Sequence, residues 1–320
     1  RIFPMKNRIT RYVLNSSLAV LIVRLLISIR FKNYENVSLF EVIKVFFEKI
    51  TKDDIIQRAN GVSFNFTLAI FPAILFLFTL IPFIHNFIPE VDSENILLFI
   101  GQFMPESMFS VISSTIEDIL NQSRGGLLTF GALFSLFLAA NGVLSLMQAF
   151  NACYKTVEKR GFFKTRLVSI ALTVMLAFAL ILAIVLLVIG GFIIDTISSI
   201  EWVNIDSYMV SLIMVVRFLV LFLVFYFAIS CIYYFGPAVH YNWRFFSLGS
   251  IISTLLCIAS SYGFSYYISN FATYNKLYGS IGVMIAFMLW QFILTVILLV
   301  GYELNASIHQ AHRIIGEEQL

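Results

Sequence analysis

Charge is what this 320-residue chain has least of: Asp, Glu, Lys and Arg make up 12% of it, against 60% apolar residues. That ratio excludes a soluble domain, which needs far more polar surface around its core. Cysteine is scarce too. Cys153, Cys231 and Cys257 are the three present, without C-x-x-C spacing, and they fall within or at the ends of apolar runs. No disulfide framework can be built from them, and buried thiols are expected. Histidine occurs four times. His85 and His240 stand alone, and His309 with His312 lie one helical turn apart without acids at metal-ligand spacing, so no metal site is expected. H-E-x-x-H, G-x-S-x-G, a P-loop and a dinucleotide fingerprint are missing. These absences predict a protein that is not an enzyme and has no catalytic residues, no cofactor and no metal.

Long uncharged runs are what the chain does have, and its mean hydropathy is +0.91. Six of them, centred on 62–88, 127–153, 167–194, 209–235, 246–270 and 279–302, could cross a hydrocarbon core of ~30 Å, which takes roughly 20 helical residues. In lipid a backbone must satisfy its own hydrogen bonds, and these runs are too long and too unalternating for barrel strands. The predicted fold is all-α: a polytopic membrane protein of six transmembrane helices with amphipathic interfacial helices. The expected domain layout is an N-terminal cytoplasmic region 1–58, a membrane domain 59–308 and a cytoplasmic tail 309–320.

The cations give an orientation, because short loops rich in Lys and Arg stay inside. Arg1, Lys6, Arg8, Arg11, Arg24, Arg30, Lys32, Lys44, Lys49, Lys52 and Arg58 precede the first run, and Lys155, Lys159, Arg160, Lys164 and Arg166 fill the 154–166 loop. The 89–126 and 195–208 connections hold nine acids and only Arg124 as a cation. Both termini are therefore expected in the cytoplasm. The net charge of +3 is a sum over two opposed faces and implies no nucleic-acid partner. Residues 1–4 precede Met5 and are set aside, and no cleavable signal peptide is expected.

Segment 12–29 is apolar but short, and Arg24 near its middle would cost about 2.5–3.5 kcal/mol at a bilayer centre. It is read as an interfacial amphipathic helix, with a seventh span as the alternative. A second amphipathic helix follows in "SLFEVIKVFFEKITKDDII", opened by a capping box of Ser38 and Glu41. Its lysines are expected near anionic inner-leaflet headgroups. The outer connection 89–126 suggests two short amphipathic helices broken at Pro105, either capping the outer mouth or packing on the span ends.

Polar groups at membrane depth are functional candidates, against the plainer reading of hydrogen bonds between helices. Asn65, Gln148, Asn151, Glu303 and Asn305 fall near the cytoplasmic side, Asn141 and Gln291 near the midplane, and Arg217, Ser265, Tyr266, Tyr267 and Asn270 toward the outside. Arg217 cannot lose its proton. It is expected to pair with Asp195, to snorkel, or to face a cavity and bind the phosphate or carboxylate of a moving amphiphile. Asn141, Gln291, Asn65, Asn151 and Tyr266 join it as candidate substrate-binding residues. Glu303 is expected to pair with an inner-face cation such as Arg58 or Arg160, or to couple protons if buried. Pro72 and Pro82, Asn141-Gly142, Gly190-Gly191 and Gly236-Pro237 are helix-loosening positions, and Gly249 with Ser253 gives small-x-x-x-small spacing.

The runs "RANGVSFNFTLAIFPAILFLFTLIPF", "AFNACYKTVEKRGFFKTR", "YYFGPAVHYNWRFFSLGS" and "NKLYGSIGVMIAFMLWQFILTVILLVGYELNA", in this order over residues 40–308, resemble the YihY/BrkB family of bacterial inner-membrane proteins. Where that family opens its first span on an alanine-rich stretch with a tyrosine, this chain has Asn60, Gly61 and Phe64. The resemblance implies a six-span, multi-pass protein of the bacterial cytoplasmic membrane, and it carries the labels "ribonuclease BN" and "virulence factor". The residues themselves offer no nuclease chemistry, which wants metal-binding carboxylates and histidines or a placed acid and base. The expected function is a transporter or flippase-like protein for a lipid or other amphiphilic anion. The alternative is a non-transporting scaffold whose basic face recruits a partner. Membrane lipids are the expected partners, and the sequence leaves a homo-oligomer open.

Overall fold

A computed structural model describes residues 24–28, 30–31, 37–52, 54–85, 125–153, 158–198, 207–238, 244–270 and 272–318. Most of segment 12–29 and the connection 89–126, for which amphipathic helices were expected, lie outside these residues. The one departure from all-α is a minimal antiparallel pair, β1 (Arg30–Phe31) and β2 (Val37–Ser38), in register Arg30 to Ser38 and Phe31 to Val37. It feeds directly into α1 (Leu39–Lys52). The expected capping box closes that junction. The Ser38 amide donates to Glu41 Oε2 at 3.0 Å and the Glu41 amide donates to Ser38 Oγ at 3.3 Å, satisfying two backbone donors that a helix start leaves open.

The long helices follow the apolar runs. They are α2 (Ile55–His85), α3 (Gly125–Cys153), α4 (Phe162–Ser198), α5 (Ser207–Phe235), α6 (Leu248–Asn270) and α7 (Ala272–Glu318). Two of them overrun the expected borders. α2 starts before residue 59, with the Arg58 amide bonded to Asp54 O at 3.0 Å, and α7 continues through 309–318 because nothing after Glu303 breaks it. α2 also runs through both Pro72 and Pro82. Breakers act at the other ends. α5 stops where the Gly236 amide closes the last turn on Ile232 O at 3.0 Å and Pro237 can add no further donor. α6 starts on a reciprocal serine cap, Ser250 N–H to Ser247 Oγ and Ser247 N–H to Ser250 Oγ, each at 3.2 Å.

Each long helix packs on the next in chain order, and α7 packs back on α2, so the six form a closed ring with α1 and β2 against α7. Five stretches, Phe130–Cys153, Phe162–Ala183, Phe218–Phe235, Leu248–Tyr267 and Ile285–His312, are long and apolar enough to cross a membrane among the described residues. The sixth expected span falls on α2. Large apolar side chains such as Phe134, Phe178, Leu219 and Leu255 stand exposed on the outside of these helices, a surface that fits lipid and not water. Among the described side chains the buried core lies where α2 begins and α3 and α5 end. There Ala59, Val62, Leu146, Phe150, Ile232, Tyr233, Leu299 and Tyr302 interlock, with the Phe150 and Tyr302 rings stacked at 4.2 Å.

A tight helix crossing joins α6 to α7. A Cβ on Gly249 would overlap the Gly301 carbonyl, and one on Gly301 would overlap Ser253 Oγ and come within 2.8 Å of the Tyr233 hydroxyl. That hydroxyl is held within the same crossing, 2.7 Å from Ser253 Oγ and 2.6 Å from Leu298 O. Asn305 finishes the seam by accepting the Gly249 amide and donating to Ser247 Oγ, both at 2.8 Å. The Gly249/Ser253 spacing was expected to mark a close contact, and it does. Gly301→Ala or Gly249→Ala is expected to lower the melting temperature of the detergent-solubilised protein, the overpacking costing about 1–3 kcal/mol. Gly263→Ala, where no atom lies within 4 Å of the added Cβ, should leave it unchanged or slightly raised. Equal behaviour of the three variants would contradict the crossing.

Candidate functional site

Three polar clusters are set into this apolar frame. The first ties the 154–161 connection to the end of α5. Arg160 Nε and Nη2 each reach one oxygen of Glu158 at 2.8 Å, and Nη2 and Nη1 also reach the carbonyls of Gly236 at 2.8 Å and Phe235 at 3.3 Å. Arg160 therefore caps the carbonyl end of α5, where the helix dipole favours a cation. Asn151, buried near the end of α3, donates to Glu158 Oε2 and accepts the Ala238 amide, both at 2.8 Å. Hydrogen bonding to Arg160 holds the Glu158 carboxyl below its ordinary value of 4.5, partial burial working against it. Asn151, a candidate for substrate binding, is thus engaged in joining two chain ends.

The second cluster surrounds Glu303, which is 0% exposed on α7. Its partner is Lys49 of α1, with Nζ 2.8 Å from Oε1. The Cys153 thiol of α3 lies against the same carboxylate, and Arg58 Nη1 of α2 is 3.3 Å from Cys153 Sγ. The sequence reading placed Lys49 among headgroups and expected an inner-face cation, with Arg58 or Arg160 as examples, to pair with Glu303. Instead α1 docks on α7 through Val37, Val42, Ile308 and Ala311, and that packing carries the Lys49 ammonium inside. Arg160 is committed to Glu158 and α5.

The third cluster was not foreseen. Arg166 was grouped with the loop cations, but α4 begins at Phe162, no breaker follows Gly161, and the side chain packs against α3 at 7% exposure. Nη1 donates to Asn141 Oδ1 at 2.8 Å, Nη2 donates to the Phe137 carbonyl, and the guanidinium carbon sits 3.6 Å from the centre of the Phe137 ring. Nε is buried without a partner. Every partner among the described residues is neutral. Asn141 is twelve residues from the end of α3 at Cys153, or about 18 Å at 1.5 Å per residue, while Arg166 is four residues, about 6 Å, into α4 from Phe162. The signal available in the sequence was the apolar pair Phe162-Phe163 ahead of Arg166, which already belongs to the span.

The other candidates are apart from these clusters. Asn65 Nδ2 on α2 donates to Ser145 Oγ on α3 and to Gly61 O, both at 3.0 Å, an interhelical bond of the plainer kind. Gln291 Oε1 on α7 is buried without a donor. Tyr266 on α6 is exposed. Arg217 lies on α5 and Asp195 on α4, with side chains outside the described residues, as is the pairing expected between them. All three cysteines are free, with Cys153 and Cys231 buried. No group of three His, Cys, Asp or Glu side chains converges at metal-binding distance among the described residues.

Two predictions follow from the first two clusters. Breaking the buried pair by Glu303→Leu or Lys49→Met alone should cost about 3–5 kcal/mol, and combining them should recover most of it, because only the single variants strand a charge. Denaturation of the three purified variants measures this, and single variants as stable as the parent would show that the pair is not sealed. For Glu158 the folded pKa is depressed, so its stabilisation is present above 4.5 and is lost as pH falls through the lowered folded value. Glu158→Gln should therefore lower stability at neutral pH by about 1 kcal/mol, given the partial exposure. Thermal melts of parent and variant should converge in acid, and a gap that widened there would contradict the assignment.

The comparisons with known proteins agree with this architecture. The family described as Virulence factor BrkB matches residues 46–319. A Bacillus subtilis relative, named as a ribonuclease-like protein, YfkH, is 30% identical over 275 residues, covering 86% of this chain and 98% of its own length. A UPF0761 membrane protein of Pseudoalteromonas atlantica is 23% identical over 82% of this chain and 84% of its own. No solved structure matches. With a ring of apolar helices and a family match from the middle of α1 to the end of α7, this chain is an integral membrane protein and belongs to the BrkB family.

Proposed function

We propose that this protein is a transporter or flippase-like protein that moves an amphiphilic anion across the bacterial cytoplasmic membrane, with both termini on the cytoplasmic side as the cation distribution suggests. The observation that carries this reading is Arg166. A guanidinium keeps its charge at any physiological pH, and burying one in an apolar span is costly unless an anion accompanies it. Here a carbonyl, a side-chain amide and an aromatic ring hold it, one turn into the apolar stretch of α4. Such a position suits an anion that visits and leaves. Lys49 with Glu303 is different, because there the two charges compensate each other permanently.

The ribonuclease-like name of the Bacillus subtilis relative raises phosphodiester hydrolysis as another activity. The transporter reading is favoured because it uses the uncompensated cation and calls for no acid–base pair. Exposed Lys44 on α1 supports contact with anionic inner-leaflet headgroups. Vesicles holding the purified protein and a fluorescent phosphatidylglycerol test the proposal through the rate at which a membrane-impermeant quencher reaches the inner-leaflet probe. The protein should speed that exchange over protein-free vesicles. Arg166→Gln should slow it at least about tenfold, the equivalent of ~1.4 kcal/mol. Exchange no faster than in empty vesicles would overturn the reading.

A further inference from the structure

Arg166 has more donors than its partners use. A guanidinium carries five N–H groups. One on Nη1 goes to Asn141 Oδ1 and one on Nη2 to Phe137 O. Nε–H and a second N–H on each terminal nitrogen remain, and Nε is buried with nothing to donate to. Once the Asn141 amide leaves Nη1, the edge between the two terminal nitrogens is a fork that takes two oxygens of one phosphate or carboxylate. Asn141 itself is exposed, so its amide can swing away without unpacking the core. An oxyanion replacing it would exchange a neutral acceptor for a charged one, whose hydrogen bonds are roughly twice as strong.

The surface leading to that fork is built for a chain and not for water. Phe130, Phe134, Phe137 and Asn141 recur at four-, three- and four-residue spacing on one face of α3, and the three rings are 72%, 54% and 41% exposed. The Phe130 and Phe134 rings lie nearly parallel at 6.3 Å. From Phe130 to Asn141 this stripe is about 16 Å long, half of a ~30 Å hydrocarbon core.

We infer that Arg166 and Asn141 form a station for the single oxyanion of a membrane amphiphile, which enters sideways from the bilayer with its chain along the Phe130–Phe134–Phe137 stripe. The inference rests on the transporter reading for its purpose, and it adds the ligand class and the route. One unpaired cation matches one negative charge. The oxyanion chemistry alone would also admit free phosphate, whereas the stripe argues for a lipid.

Binding in neutral detergent tests this separately from transport. Dodecyl phosphate should raise the melting temperature of the purified protein in a saturable way, while dodecyl phosphocholine and inorganic phosphate should not. Arg166→Lys keeps the charge and loses the fork, and should weaken dodecyl phosphate binding at least about tenfold. Should that variant fail to fold, Phe130→Ala with Phe134→Ala, on the exposed stripe, should weaken it several-fold. A response to inorganic phosphate equal to that for dodecyl phosphate would overturn the lipid assignment, and no response to either would overturn the site. Affinity unchanged in both the lysine and the stripe variants would also overturn it. Saturable binding with no lipid exchange in vesicles would instead remove the transporter reading and leave the site standing.

Discussion

The contact between Gly249 on α6 and Gly301 on α7 is the constraint on which the closed ring depends. Two helices approach closely only where neither carries a Cβ at the crossing, and in lipid such approach supplies the association that the hydrophobic effect cannot. Because α7 also packs on α2, this one crossing brings the last helix within reach of the first. Tyr233 of α5 then finds its partners, Ser253 on α6 and the Leu298 carbonyl on α7, inside the seam. Without the glycines the hydroxyl would be buried with nothing to bond, a cost of about 1–3 kcal/mol.

That closure sorts the polar residues into two kinds. At the end of the ring where α2 begins and α3 ends, charges compensate one another: Lys49 with Glu303, and Arg160 with Glu158. These groups fasten α1, α5 and the 154–161 connection to the bundle, and their energetics are those of structure. Arg166 is of the other kind. Its partners among the described residues are neutral and orient it without neutralising it. The difference follows from what each cation meets, not from how deeply each is buried.

Several features were legible in the residues. Apolar runs longer than a bilayer is thick could only be helices, and all six runs lie on helices of the ring. The Ser38/Glu41 box, the stop at Gly236-Pro237 and the Gly249/Ser253 spacing are local patterns with local causes, and each lies where its pattern put it. Glu303 was recognised as an acid in need of a cation, and Asn141 as a group at mid-depth. The partners were another matter. Lys49 is 254 positions before Glu303, and periodicity along α1 cannot say which turn of which helix it will meet.

What the sequence by itself determined is the solvent and the secondary structure: a chain this apolar belongs in a membrane, and in a membrane its backbone must close its own hydrogen bonds. Tertiary structure alone decided the fate of each charge. A lysine drawn as a headgroup ligand became half of a sealed pair because an amphipathic helix docked on α7. An arginine counted among loop cations became the one turned toward Asn141, because α4 begins early enough to carry it against α3. Hydropathy is a property of a segment, whereas compensation of a charge is a property of two segments, and only their packing brings the second one into view.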